Sequence, residues 1–214
     1  MDTSRRPPLG RFYEVNDRRL LLHRSGTGGP AVVFLPGGSA LGLDYLNIHD
    51  RVSEFTASVL YDRAGTGWSD PAELPRTAAD VATELRDLLR AADVPAPYVF
   101  VVHSLGGAYA RRFIQMFPHE VAGVVYMEAF YEEWNTHMAD ERLRVKPQPV
   151  PGTLMLRLIT LLSRSQYRKM FATWPREVRE GEHRILKDAH HSTINTDDPD
   201  AIALGVRDLW QRVR

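Results

Sequence analysis

A chain of 214 residues has room for one domain with a sizeable core. Its 43% hydrophobic and 25% charged residues are ordinary for a globular protein in water, and a formal net charge of zero gives no electrostatic support for partners such as nucleic acid or a membrane surface. The absence of cysteine excludes disulfides, thiolate nucleophiles and cysteine-ligated zinc.

The chain opens with a polar, proline-rich arm over residues 1–10. Basic residues stand there without an apolar stretch after them, so the segment does not read as a secretory signal, and a cytoplasmic protein is expected. Arg11–Val15 and Arg19–His23 flank Asn16-Asp17-Arg18 and predict a β-hairpin. Ser25-Gly-Thr-Gly-Gly-Pro30 reads as a surface loop; it precedes a strand and lacks the Lys-Ser/Thr of a phosphate-binding loop. Ala31–Leu35 is an apolar strand that runs into Pro36-Gly37-Gly38-Ser39, where glycines let backbone N–H groups approach a ligand closely. A helix is expected over Asp44–Asp50, then a strand over Ser58–Tyr61 ending in the loop Asp62-Arg-Ala-Gly-Thr-Gly-Trp-Ser69. Thr77 followed by Asp80 is a capping-box pattern for a helix with Val81, Leu85, Leu88 and Leu89 on its apolar face; Asp93–Pro97 stops it.

The stretch Tyr98–Phe117 changes period midway. It starts as β-branched and aromatic residues and ends with Ala108, Tyr109, Arg112, Phe113, Met116 and Phe117 at helical spacing. Between them Val102-His103-Ser104-Leu105-Gly106-Gly107 must turn sharply, with Ser104 at the apex and a helix N-terminus behind it, the description of a nucleophile elbow. The segment nearly matches Gly-x-Ser-x-Gly, with Val102 at the first glycine; a valine there is expected to crowd the turn.

Val121–Met127 is the next strand, with Glu128 at its carboxyl end. Residues 130–150 are mixed and charged and hold Trp134, His137 and Met138; residues 129–152 read as a short lid segment within a single domain spanning 1–214. Thr153–Leu162 fits strand or helix; Leu154–Leu162, the longest apolar-rich run, is too short to span a bilayer and is interrupted by Arg157. Ser163–Arg184 is basic and in part helical, His183–Leu186 is a candidate last strand, and His190-His191-Ser192 forms a loop. Asp198-Pro199 opens a final helix with Ala201, Ile202, Leu204, Val206, Leu209 and Trp210 as apolar positions.

Alternating strands and helices from Ala31 onward predict an α/β fold with a mostly parallel sheet covered on both faces, and the ligand site of such a sheet lies at the carboxyl ends of its strands. Gly37, Gly38, Asp62, Ser104, Glu128 and His191 all fall at or just after predicted strand ends. A serine hydroxyl needs a base to take its proton, and that base needs an acid to orient it. His183, His190 and His191 lack the carboxylate–histidine spacing of a zinc site, so no metal is expected.

Leu35-Pro-Gly-Gly38, Tyr61–Ser69, Val102–Gly107 and His191 before Asp198-Pro-Asp200 together resemble the α/β-hydrolase superfamily, specifically its esterase-like serine hydrolases. The second piece is close to that family's Tyr-Asp-Arg-x-Gly-x-Gly-x-Ser loop; the resemblance covers residues 11–128 well, 183–214 acceptably and the middle poorly. It implies Ser104 as nucleophile and a late histidine as base. His191 fits better than His190, one residue farther from the Asp-x-Pro than the pattern has it. The family usually supplies the acid after the next-to-last strand, but residues 142–176 contain no Asp or Glu. Some members carry it one strand after the nucleophile, where Glu128 stands, with Glu132 and Glu133 as lesser options. The pattern also implies an oxyanion hole from the N–H groups of Leu105 and Gly38, with Gly37 the alternate. Pro36 replaces the usual histidine, but the donors needed lie after it.

His103 is expected to point into the fold, and Asp62 and Arg63 to buttress loops. Trp134, Met138, Trp68 and Tyr109 are candidates for an acyl pocket or for plain packing. The length missing relative to the family falls between Glu128 and His183, which implies a reduced lid and an open site. The resulting expectation is a cofactor-free serine esterase acting on a small-molecule ester through an acyl-enzyme. The alternative is a catalytically impaired hydrolase-like fold that binds a small molecule or a protein. Dehalogenase or epoxide hydrolase chemistry fails because those branches use an Asp nucleophile.

Overall fold

A computed structural model describes residues 7–38, 40–129, 186 and 193–214. The hairpin consists of β1 (Arg11–Val15) and β2 (Arg18–Ser25), joined by Asn16 and Asp17 at φ +48° and +61°. Two left-handed residues make a turn whose twist matches that of the strands, and Asn and Asp are the side chains that best tolerate it. The register Phe12↔Leu21 and Tyr13↔Leu20 follows from it.

The remaining strands are β3 (Ala31–Leu35), β4 (Ser58–Tyr61), β5 (Tyr98–His103) and β6 (Val121–Met127). The sheet order is β1-β2-β4-β3-β5-β6. β2 is antiparallel to β1 and β4, and β4, β3, β5 and β6 run parallel. Every residue of β3, β4 and β5 is buried, which is why these strands are continuous apolar runs rather than alternating ones.

Two helix pairs cover the sheet. The first is α2 (Ala78–Ala91) with α3 (Gly106–Met116), whose Leu85, Leu88, Leu89, Ala110 and Phe113 join Val33, Leu35, Val59, Tyr61, Phe100 and Val102 in one cluster. The second is α1 (Leu46–Ser53) with the last helix, α5 (Pro199–Val213), which also packs on β6. Gly123 permits that approach: a β-carbon there would stand 3.0 Å from Leu209 Cδ2. Trp210 Nε1 adds a 3.0 Å hydrogen bond to the Pro30 carbonyl. The α2 capping box forms as expected between Thr77 and Asp80, and Asp198 caps α5 through the Ala201 N–H.

Some expectations change in detail. The helix expected over Asp44–Asp50 is a 3-10 turn (Gly42–Tyr45) followed by α1. Leu204, expected on the apolar face of the last helix, is 51% exposed; Ile202, Ala203 and Val206 bury instead. An additional single turn, α4 (Ile194–Asp197), precedes α5. The candidate strand His183–Leu186 lies outside the described residues except Leu186, which is in no element.

At the amino-terminal end of the parallel strands sits a buried imidazole. His49 Nδ1 is 2.8 Å from Ser58 Oγ, its ring is 4.9 Å from that of His23, and its Nε2 has no partner among the described residues. Among the described residues no helix is long and apolar enough to cross a membrane, and no group of three or more His, Asp or Glu is arranged to hold a metal.

Candidate active site

The elbow is built by two strands held in register and one glycine. β5 pairs with β3 through Leu35↔Val102 and with β6 through Val102↔Tyr126 and His103↔Met127. The chain then reverses between His103 and Gly106, with Ser104 at φ +49° and only half-buried. The Gly107 N–H donates to the Ser104 carbonyl at 3.1 Å, closing the turn. Val102 does not crowd it. The valine is the next-to-last residue of a regular strand, fully buried in the core cluster, and the reversal starts after it. The glycine that matters is Gly106: a β-carbon there would lie 2.1 Å from the Leu35 carbonyl oxygen. A left-handed φ at a non-glycine residue costs about 1–2 kcal/mol, so Ser104 is held against a local preference by its surroundings.

Glu128 leaves the adjacent strand at the corresponding position. It follows Met127, the register partner of His103, and takes φ +45°. Ser104 and Glu128 therefore stand just beyond the ends of neighbouring parallel strands, at the edge where ligand sites of such sheets form.

The loop after β3 lies against the elbow. A β-carbon on Gly37 would be 3.3 Å from Ser104 Cβ, and one on Gly38 would be 3.6 Å from the Leu105 side chain. This loop is held from behind by Arg63, which is 4% exposed. One guanidinium nitrogen donates to the Pro36 carbonyl at 2.7 Å; the other donates to the carbonyls of Gly37 at 2.6 Å and Gly38 at 3.1 Å. Asp62 does the matching work on amides: its carboxylate accepts from the N–H of Gly42 at 2.8 Å and of Trp68 at 2.9 Å. Gly67, at φ +53°, is needed because a β-carbon there would overlap the Asp62 carboxylate. Asp62 and Arg63 are thus loop buttresses, as the sequence reading expects. Below them Glu84 accepts from the Ala64 N–H at 3.1 Å and pairs with Arg76 at 2.5 Å.

Tyr45 was not singled out from sequence, and no spacing marks it, because its partners are 8 and 58 residues away. Its hydroxyl oxygen accepts from the Gly37 N–H at 3.4 Å and lies 2.7 Å from His103 Nδ1. Burial pushes the phenol up to about 12, so it keeps its proton. With one lone pair taken by Gly37, the arrangement that satisfies both groups has the phenol donating to Nδ1, which assigns the imidazole proton to Nε2. His103 is buried, as expected for a residue pointing into the fold.

Tyr109 is partly buried against the core cluster, with the Arg63 guanidinium carbon 5.4 Å from its ring centre. His190, His191, Trp134, Met138, Glu132, Glu133 and the Leu154–Leu162 stretch lie outside the described residues. The buried Asn195 donates from its side-chain amide to the Asp44 carbonyl at 2.6 Å. Asp44 immediately precedes Tyr45, so Asn195 is tied to the segment whose tyrosine contacts the glycine loop.

Comparison with known proteins follows the same lines. A family model described as alpha/beta hydrolase family matches residues 32–204. Among curated proteins, the uncharacterized protein YqjL of Bacillus subtilis is 32% identical over 106 residues, 50% of this chain and 42% of that one. The uncharacterized protein C23C11.06c of Schizosaccharomyces pombe is 38% identical over 83 residues, 39% of this chain and 16% of that one. The chain spans less than half the length of these relatives. Among solved structures, a predicted CIB-like hydrolase from Thermoplasma acidophilum superposes with TM-score 0.66 at 18% identity, covering 94% of this chain and 97% of that one. Est816, an N-acyl homoserine lactone degrading enzyme, gives TM-score 0.63 at 14% identity over 92% and 99% of the two chains. At such identities the likeness is one of fold.

Proposed function

The chain belongs to the alpha/beta hydrolase family, and from that premise we propose that it is a serine hydrolase cleaving carboxylic esters of small molecules through an acyl-enzyme. The observation that carries this reading is Ser104 itself: a half-exposed serine at φ +49° on the turn from β5 to α3, with the glycine loop after β3 against it. Backbone strain of this kind clusters at functional sites, and a serine at a strand end beside a loop of backbone amides suits attack on a carbonyl whose oxyanion those amides would stabilise.

In this reading Ser104 Oγ attacks the ester carbonyl while His191 takes its proton. The N–H groups of Leu105 and Gly38 stabilise the oxyanion; neither is engaged by another described residue, whereas the Gly37 N–H is directed to Tyr45. The C–O bond breaks as His191 returns the proton to the leaving alcohol. Water, activated by the same histidine, then releases the acid and restores Ser104. Glu128 orients the histidine; its position one strand after the nucleophile supports this assignment. Trp134 and Met138 are assigned with Tyr109 to the acyl side of the pocket.

The test is turnover of p-nitrophenyl acetate and butyrate, with a lactone as a cyclic ester, alongside labelling by a fluorophosphonate. The wild-type chain should turn over and label once, at Ser104, and Ser104→Ala should do neither. A wild-type chain that shows no turnover and no label refutes the reading.

A further inference from the structure

Peptide geometry links the buried Arg63 to the reacting centre. In a trans peptide unit the C=O of one residue and the N–H of the next point in opposite directions. Arg63 binds the Gly37 carbonyl at 2.6 Å, so the Gly38 N–H, in the same unit, faces away from the guanidinium. The Pro36 carbonyl is fixed in the same way, and the Gly37 N–H of that unit ends on Tyr45. Two successive peptide planes are therefore set by side chains that do not belong to the loop. The two glycines lie beside Ser104 and Leu105: a β-carbon on Gly37 would come within 3.3 Å of Ser104 Cβ, and one on Gly38 within 3.6 Å of the Leu105 side chain.

We propose that Arg63 and Tyr45 are positioning residues for the oxyanion hole: Arg63 fixes the Gly37–Gly38 peptide so that the Gly38 N–H is the donor, and Tyr45 withdraws the Gly37 N–H from competing for that role. This rests on the serine hydrolase reading and deepens it, since it decides between two adjacent glycines. Arginine suits the task because its planar fork reaches three consecutive carbonyls at once. A lysine ammonium is a point charge and cannot hold both planes. The cation is deeply buried, and its three carbonyl acceptors replace the water it has lost.

The role predicts a loss confined to the transition state. Arg63→Lys should lower kcat on p-nitrophenyl butyrate by about 100-fold with KM within about twofold, because misplacing an oxyanion donor costs roughly that much. The affinity of phenylboronic acid, whose adduct with Ser104 carries a tetrahedral oxygen in the hole, should fall by the same factor. Tyr45→Phe should do the same to a smaller degree, about tenfold, and reports independently should the arginine variant fold poorly. Arg86→Met, which breaks the distant pair with Glu120, serves as the stability control and should leave kcat unchanged. Arg63→Lys and Tyr45→Phe chains that fold and retain wild-type kcat overturn the positioning role alone. Equal losses of kcat in the Arg86 control also overturn it, by making the effect one of stability. An inert wild type overturns the hydrolase reading and this role with it.

Discussion

Ser104 and Glu128 are neighbours by register: each is the first residue after a pair, His103 and Met127, that closes the β5–β6 ladder, and each takes a left-handed φ, +49° and +45°. Two non-glycine residues in that conformation on adjacent strand ends hold backbone strain in one place. Strain of this kind persists only where the surroundings over-determine it.

Glu128→Gln keeps the size of the side chain and removes its charge. If Glu128 orients the catalytic histidine, kcat should fall by about 100- to 10,000-fold while the fold and the melting temperature change little. Unchanged kcat moves the acid elsewhere, with Glu132 and Glu133 next to be tested.

Replacing Ser104 separates strain from chemistry. Ser104→Gly and Ser104→Ala should both abolish turnover. The glycine variant accepts φ +49° without penalty, so it should be more stable than the alanine variant by about 1 kcal/mol, a difference of roughly 2–4 °C in melting temperature. Equal melting temperatures would mean that the elbow carries no strain at that residue.

Gly106→Ala should be severe. Its β-carbon would meet the Leu35 carbonyl oxygen at 2.1 Å, and the atoms it meets are backbone, which cannot swing aside as a flexible side chain would. A loss of at least about 3 kcal/mol is expected, read as a drop in the denaturation midpoint. The same change at Gly29, where the nearest atom would be 3.7 Å away, should be nearly neutral and serves as the control.

His49 makes stability depend on pH. Burial, aided by the neighbouring His23, lowers its pKa from 6.5 to about 4. The unfolded chain therefore binds the proton first, and stability should fall as pH drops from about 6.5 towards 4, by up to about 1.4 kcal/mol per unit. His23 is lowered too, chiefly by burial, and acts in the same sense. Urea midpoints measured across this range should show the slope, and His49→Asn, which can still accept from Ser58, should flatten it.

Much of the fold was legible because its signals are local. The apolar runs of β3, β4 and β5 read as buried strands because they are short and rich in β-branched and aromatic residues, and Thr77 with Asp80 marks a helix start within one turn of chain. The αβ alternation alone places Ser104 and Glu128 on one edge of the sheet. What sequence could not show is long-range. Tyr45 reads as one aromatic in a short helical segment, and only the fold brings it to His103 and Gly37. Leu204 fits the apolar period of its helix, yet the neighbouring Ala203 takes the buried place, and which side of the helix meets the sheet is decided by long-range packing. Val102 looks disruptive if the turn is taken to start at the first position of the motif, whereas the strand extends through it.

The Arg63 fork also sets what this loop can tolerate in evolution or engineering. Arginine grips carbonyl oxygens, which every residue type supplies, so side chains at 36–38 are open to exchange wherever the backbone path allows. Loop length is another matter. Inserting or deleting one residue would hand the guanidinium a different set of carbonyls and shift every amide behind them by one place. For redesign of this segment, substitutions are the permissive route and indels the restrictive one.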